Sequence, residues 1–235
     1  MATILITGAN KGLGFQTALQ LVAAGHQVYA CARDAERGRR AADELNASFM
    51  LLDVTDDASV AAAAEKVDAD GGLDVLVNNA GIEPRQADGG FIPAAEVTAD
   101  LARRVFETNV FGHIRMMHAF LPLLERSAAP VVVNVSSGAS LLRELSDPEN
   151  PAHLYPDITY PASKAAVTTL TVQYAKAYPG MRINAVDPGF TATDLNFHAG
   201  HQSIEQGAEI IVRMAQIGPD GPSGGFFDAR GVVPW

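Results

Sequence analysis

Short runs of valine, isoleucine and leucine recur along this chain, separated by longer alanine-rich stretches with a helical apolar period. The short runs predict β-strands over Thr3–Thr7, Gln27–Ala32, Phe49–Asp53, Leu73–Asn78, Pro130–Ser136 and Arg182–Pro188, with a weaker one over Gly225–Asp228. The intervening stretches predict helices over Phe15–Ala24, Ala35–Asn46, Ala58–Asp68, Thr98–Glu125, Tyr160–Tyr178 and Ile204–Ile217. Apolar strands that alternate with helices are what a parallel sheet covered on both faces produces. Thr55-Asp56-Asp57 caps the next helix, and Gly25 can end the first helix in a left-handed turn. The prediction is therefore one α/β domain over residues 1–235, a doubly wound sheet of about seven mostly parallel strands with helices on both faces. Its ligand crevice should lie at the carboxyl ends of the strands.

Composition narrows the function. The 235 residues are 48% apolar, enough for a sizeable core, and carry a net charge of -10. That charge argues against nucleic acid as a partner, since the densest basic stretch, Arg33 to Arg40, is interrupted by Asp34 and Glu36 and reads as a small anion site or a solvated helix face. No stretch is long and apolar enough to span a bilayer, and Met1-Ala2-Thr3 leads into a strand with no signal-peptide pattern. A single cysteine, Cys31, excludes an intrachain disulfide and a cysteine-based zinc site. It reads as a small buried hydrophobe, in keeping with a reducing cytoplasm. His198 and His201 lack a third ligand, so no metal site is predicted. Phe106, Phe111, Met116 and Met117 read as core packing.

The first strand runs into Thr7-Gly8-Ala9-Asn10-Lys11-Gly12-Leu13-Gly14, which opens a helix. Such a turn lets backbone approach a pyrophosphate while the helix N-terminus offers unpaired N–H groups, which makes the fold Rossmann-type. Further on come Asn78-Asn79-Ala80-Gly81, Asn109 within Thr-Asn-Val-Phe-Gly, Val133-Asn134-Val135-Ser136-Ser137, Tyr160-Pro161-Ala162-Ser163-Lys164 and Asp187-Pro188-Gly189. In this order over nearly the whole chain, these motifs resemble the short-chain dehydrogenase/reductase family, and most of all its carbonyl-reductase-like branch. The resemblance implies an oxidoreductase that moves hydride between a nicotinamide cofactor and a small-molecule carbonyl or alcohol.

Cofactor preference is read at the end of the second strand. Arg33 stands there, and Lys11 in the glycine loop can approach the same anion, so NADP(H) is preferred, with NAD(H) as the alternative. Asp34 lies one residue too late for a ribose-binding acid and reads as a helix cap or a partner of Arg33. The resemblance places Gly8, Asn10, Lys11, Gly12, Leu13, Gly14, Asp53, Val54, Asn79, Ala80, Gly81, Pro188 and Gly189 along the cofactor, with Thr191 and Thr193 as further contacts. Asp53 reads equally well as a capping aspartate.

Tyr160 and Lys164 are four residues apart on one helix, so they project from the same face. A free tyrosine titrates near ~10, and an ammonium with an oxidised nicotinamide beside it should bring that value down. Ser136 and Ser137 can each hold the reacting oxygen, but side chains alternate and only one should face the crevice. The resemblance favours Ser137, adds Asn109 to complete a tetrad, and gives Lys164 a hydrogen bond to the nicotinamide ribose. Extra sequence around Arg143 to Asn150 should border the substrate mouth and leaves homo-oligomer and monomer both open. Glu83, Leu141, Tyr155, Phe190 and Phe197 are candidate substrate contacts. The rival reading is a non-catalytic dinucleotide sensor, which would have no need of a phenol one turn before an amine.

Overall fold

The structure is a computed structural model that describes residues 1–234. One sheet organises the chain, with strands β1 (Thr3–Ile6), β2 (Gln27–Ala32), β3 (Ser48–Leu51), β4 (Val75–Asn78), β5 (Val131–Val135), β6 (Arg182–Val186), β7 (Phe226–Asp228) and β8 (Gly231–Val232). Their order is β3-β2-β1-β4-β5-β6-β7-β8, and every neighbouring pair is parallel except β7 with β8. The order reverses direction between β1 and β4, and at such a switch point an open α/β sheet leaves a crevice. The predicted seven strands are present at their places, and β8 is an addition that follows β7 after two residues. It forms because Asp228 accepts from the backbone N–H of both Arg230 and Gly231, closing a tight hairpin.

Alternation along the strands builds two cores. Ile4, Ile6, Val75, Val77, Val131 and Val133 face α1 (Gly12–Ala23), α2 (Ala35–Leu45) and α8 (Ile204–Ala215). Leu5, Leu76 and Val132 face the opposite side, against Val60 and Val67 of α3 (Asp57–Ala69) and Met116, Met117 and Phe120 of α5 (Gly112–Leu124). Cys31 lies in this second core, and its burial pushes the thiol far up in pKa, as expected of an inert hydrophobe.

The helix expected over Thr98–Glu125 is interrupted. It divides into α4 (Ala99–Phe106), a π-helical segment over Glu107–Phe111, and α5. The extra residue of a π-turn rotates the remainder of the helix by about 100°, one helical position. Phe111, at the end of that segment, is consequently 45% exposed rather than in the core, whereas Met116 and Met117 are buried as expected. Phe106 is half-buried. Ahead of α7 (Thr159–Ala177), the sequence read as extra forms a short α6 (Leu142–Ser146) and a 3-10 turn over Pro151–Leu154.

Asp34 caps α2 by accepting from the Arg37 N–H, and its ionic partner is Arg37, not Arg33. Asp56 caps α3, and Gly25 leaves α1 with φ of +85°.

Candidate active site

A cavity of about 1070 Å³ opens along the carboxyl ends of the strands, at the upper end of small-molecule sites. Its floor is the glycine loop. Gly8 and Gly12 hold φ of +66° and +58°, and a Cβ on Gly14 would lie 2.5 Å from the Gly8 carbonyl oxygen and from Asn79 Nδ2. Asn79 explains that closeness, because its amide donates to the carbonyls of Thr7 and Gly8 at 2.8 and 3.2 Å. Asn79 thus props the loop, and Ala80 and Gly81 continue the cavity wall.

At one end stand Arg33, Asp53 and Val54. Arg33 is exposed and makes no ion pair among the described residues. Asp53 Oδ1 accepts from both the N–H and the hydroxyl of Thr55, so it is a turn-capping carboxylate that also lines the cavity. Lys11 is engaged, pairing with Asp194 at 2.8 Å across the cleft. Around it a smaller depression of about 230 Å³ is also lined by Asn10, Arg37 and Arg40. The two arginines were visible in sequence only as part of the interrupted basic stretch.

At the other end, Ser137, Tyr160 and Lys164 line the cavity together. Tyr160 lies in the first turn of α7, and Lys164 follows one turn later with its ammonium donating to the Val135 carbonyl at 2.7 Å. Burial lowers the Lys164 pKa to about 8. The two serines differ in their surroundings. Ser136 is buried, donates to the Lys164 carbonyl at 3.1 Å and bonds the Thr168 hydroxyl at 2.8 Å. Ser137 lies two residues beyond β5 and, like Ser136, lines the cavity, where its hydroxyl acts to lower the Tyr160 pKa.

The Tyr160 pKa moves up rather than down. Burial is the largest cause, and the carboxylates of Glu83 and Asp187 add to it, while the Ser137 hydrogen bond opposes. Lys164 Nζ sits 5.6 Å from the ring centroid and aims at a carbonyl, so it does not offset them. In this state Tyr160 is a neutral phenol with a proton to give.

Asn109 lies in the π-helical segment, fully buried. Its Oδ1 accepts from Ile82 N–H at 2.8 Å, and its Nδ2 donates to the Ile82 carbonyl at 2.9 Å and to Ser163 Oγ at 3.0 Å. It therefore clamps the strand β4 exit onto α7. Gly81 sits between it and the lysine, where a Cβ would come within 3.4 Å of Asn109 Oδ1 and 3.5 Å of Lys164 Nζ.

Pro188, Gly189, Thr191 and Thr193 line the remaining wall. Thr191 is buried and donates to the Pro188 and Gly189 carbonyls, so its hydroxyl serves the loop itself. Thr193 forms a reciprocal capping box with Asn196. Glu83, Tyr155, Phe190 and Phe197 line the cavity as expected of substrate contacts, but Leu141 does not. The 3-10 turn after Ser137 directs Leu141 into a small core with Ala185 and Phe226. His201 also lines the cavity, and no group of metal-binding side chains occurs among the described residues.

A glycine-cradled crevice at the switch point, with a tyrosine and a lysine one turn apart beside it, defines a nicotinamide-dependent oxidoreductase of Rossmann type. The chain belongs to the short-chain dehydrogenase family, whose model matches residues 2–203. It is 35% identical to (+)-neomenthol dehydrogenase of Arabidopsis thaliana, covering 97% of this chain and 96% of the relative. That alignment runs over 290 positions against 235 residues here, so the relative carries segments this chain lacks. Carbonyl reductase [NADPH] 1 of Bos taurus is 34% identical, with 98% and 97% covered. An NADPH-bound carbonyl reductase from chicken fatty liver superposes with a TM-score of 0.82 at 26% identity, with 100% and 99% covered.

Proposed function

We propose that this protein is an NADPH-dependent reductase of ketones or aldehydes, with the secondary-alcohol dehydrogenase reaction as its reverse, working through Asn109, Ser137, Tyr160 and Lys164. The observation that carries the reading is the half-buried, proton-bearing Tyr160 lining the cavity beside Ser137, with Lys164 one turn away. NADPH supplies hydride to the carbonyl carbon when bound. Ser137 donates a hydrogen bond to the carbonyl oxygen and holds it as negative charge develops there. Tyr160 transfers its phenolic proton to that oxygen, completing the alcohol. Lys164 would hold the nicotinamide ribose, and its ammonium would steady the Tyr160 phenolate until that phenolate takes a proton back from solvent. Asn109 keeps α7 and the Ile82 backbone in register, a positioning role for Lys164.

The glycine loop, Asn10, Leu13, the Asp53–Val54 step, Asn79 to Gly81 and the Pro188–Thr193 wall receive the dinucleotide. The fit rests on loop glycines whose added Cβ atoms would meet Asn79, Ala80 or the loop backbone, and on Arg33 standing unpaired at the cavity. Arg33, with Lys11, reads the 2'-phosphate. The similarity to NADPH-named carbonyl reductases points the same way. A reducing cytoplasm suits the single buried thiol.

Fluorescence titration with NADPH and NADH, repeated with Arg33→Ala, tests this reading. NADPH should bind the wild-type protein more tightly, and the variant should lose about tenfold or more for NADPH alone, a charge-assisted phosphate contact being ~1.5–3 kcal/mol. Tighter NADH binding by the wild-type protein would refute the cofactor assignment, and binding of neither would refute the enzyme.

A further inference from the structure

The first turn of α7 carries the reacting tyrosine at the place where a helix is weakest. The first N–H groups of a helix have no partner within it, and Tyr160 is the second residue of α7, so its backbone lies inside that loose turn. Pro161 adds to the difficulty. A proline disfavours the helical conformation of the residue before it and brings no N–H of its own, yet Tyr160 is helical. Ile158, which precedes the helix, supplies no side-chain cap. Tyr160 is half-buried and lines the cavity, so side-chain packing leaves part of it free. The backbone is what remains to hold the phenol in place.

Asp157 holds it. Its Oδ1 accepts from the Thr159 N–H at 2.6 Å, the Thr159 hydroxyl at 3.0 Å and the Tyr160 N–H at 3.0 Å. The other end of the same residue is tied as well: Ser163 Oγ donates to the Tyr160 carbonyl at 2.7 Å and accepts from Asn109 Nδ2 at 3.0 Å. Tyr160 is thus gripped through both of its backbone groups, by Asp157 from one side and from the π-helical segment on the other. Asp157 is itself fixed. Pro156 restricts the chain just before it, and Tyr155 is tied by its hydroxyl to Glu83 and by its N–H to the Ala152 carbonyl at 3.0 Å. Asp157 does not line the cavity, so it acts on the reaction only through Tyr160.

We infer that Asp157 is a positioning residue for the reaction: through its hydrogen bonds to the first turn of α7, it sets where the Tyr160 phenol stands relative to Ser137. The inference rests on the reductase reading, which makes Tyr160 the proton donor. The hydrogen bonds and not the charge carry the role, so asparagine and serine, which cap helices about as well as aspartate, can replace it.

Steady-state reduction of para-nitrobenzaldehyde and cyclohexanone with NADPH, beside melting curves, tests this in Asp157→Ala, Asp157→Asn and Asp157→Ser. Asp157→Ala should lower kcat about 10- to 100-fold, the scale of a reacting group displaced by about 1 Å, with KM changed by about twofold at most. Asp157→Asn and Asp157→Ser should keep kcat within about threefold of wild type. An Asp157→Ala protein that keeps its kcat, whatever its Tm or KM, overturns the inference and leaves the reductase standing. Asp157→Asn as slow as Asp157→Ala overturns it too, because the charge would then be what acts. Turnover of neither carbonyl by wild type, while NADPH binds, overturns the reductase reading and this inference with it. Should Asp157→Ala not fold, Asp157→Gly takes its place with the same expected loss, since glycine at a helix start removes the acceptor at little cost in stability.

Discussion

Replacing Asp194 by asparagine should strengthen NADPH binding and leave NADH binding unchanged. Lys11 belongs to the loop that precedes α1, yet its ammonium sits 2.8 Å from Asp194 on the opposite wall, with His198 on the other carboxylate oxygen at 3.0 Å. If Lys11 serves the 2'-phosphate, the aspartate competes with that phosphate for it and repels it as well. Two unit charges at 2.8 Å in water attract by about 1.5 kcal/mol. Both side chains are more than half exposed, at 60% and 54%, so screening and side-chain ordering leave ~0.2–1 kcal/mol. Release of Lys11 should therefore tighten NADPH about 1.5- to 5-fold. Titrations of both cofactors at low and high salt would measure it, with the gain shrinking as salt rises, because an exposed pair is screened. Weaker NADPH binding in Asp194→Asn, or an equal gain for NADH, would show that the bridge shapes the cleft and does not compete for the phosphate.

Ser137→Ala should lower kcat about 10²–10³-fold with KM little changed, as expected of a donor used mainly in the transition state. Ser136→Ala should instead lower thermal stability by about 1 kcal/mol, since it strips a buried bond from the Lys164 carbonyl. Steady-state kinetics and melting curves on both variants separate the roles, and a reversed pattern would reassign the serines. His113 is buried, and burial, with Lys164 adding to it, depresses its pKa to about 3. The unfolded chain therefore binds a proton that the fold does not, and stability present above the ordinary pKa of 6.5 should be lost as pH falls from there toward about 3. The slope of Tm against pH in that window should flatten in His113→Gln, and an unchanged slope would place the acid sensitivity elsewhere.

The repeating strand–helix alternation was enough to predict the sheet, because strands buried on both faces must be apolar at nearly every position. The two-residue period bears on the serine pair less directly: Ser136 is buried and donates to the Lys164 carbonyl, but both serines follow β5 and both line the cavity. The π-helical segment left no trace in the apolar period, and only the family resemblance, which implies a helix irregularity at Asn109, pointed to it. An extra residue in a helical turn barely alters the apolar period of a long helix, so the run from Thr98 to Glu125 reads as continuous while Phe111 swings out to solvent. Leu141 was misread for a related reason, because a single 3-10 turn after Ser137 decides whether it faces the cavity or the core.

Tyr160 shows why spacing alone is not chemistry. Four residues place Lys164 on the same face, but Lys164 is only 3% exposed and spends its ammonium on a backbone carbonyl in β5. The charges that act on the phenol come from Glu83, beyond β4, and Asp187, beyond β6, with a smaller contribution from Asp157 three residues before it. All of these carboxylates raise the pKa, which favours the protonated phenol. The positive charge the chain places beside the phenol is Lys164, its ammonium 5.6 Å from the ring centroid. On the proposed reading, a Tyr160 that holds its proton serves the reductive direction, where it would deliver that proton to the carbonyl oxygen.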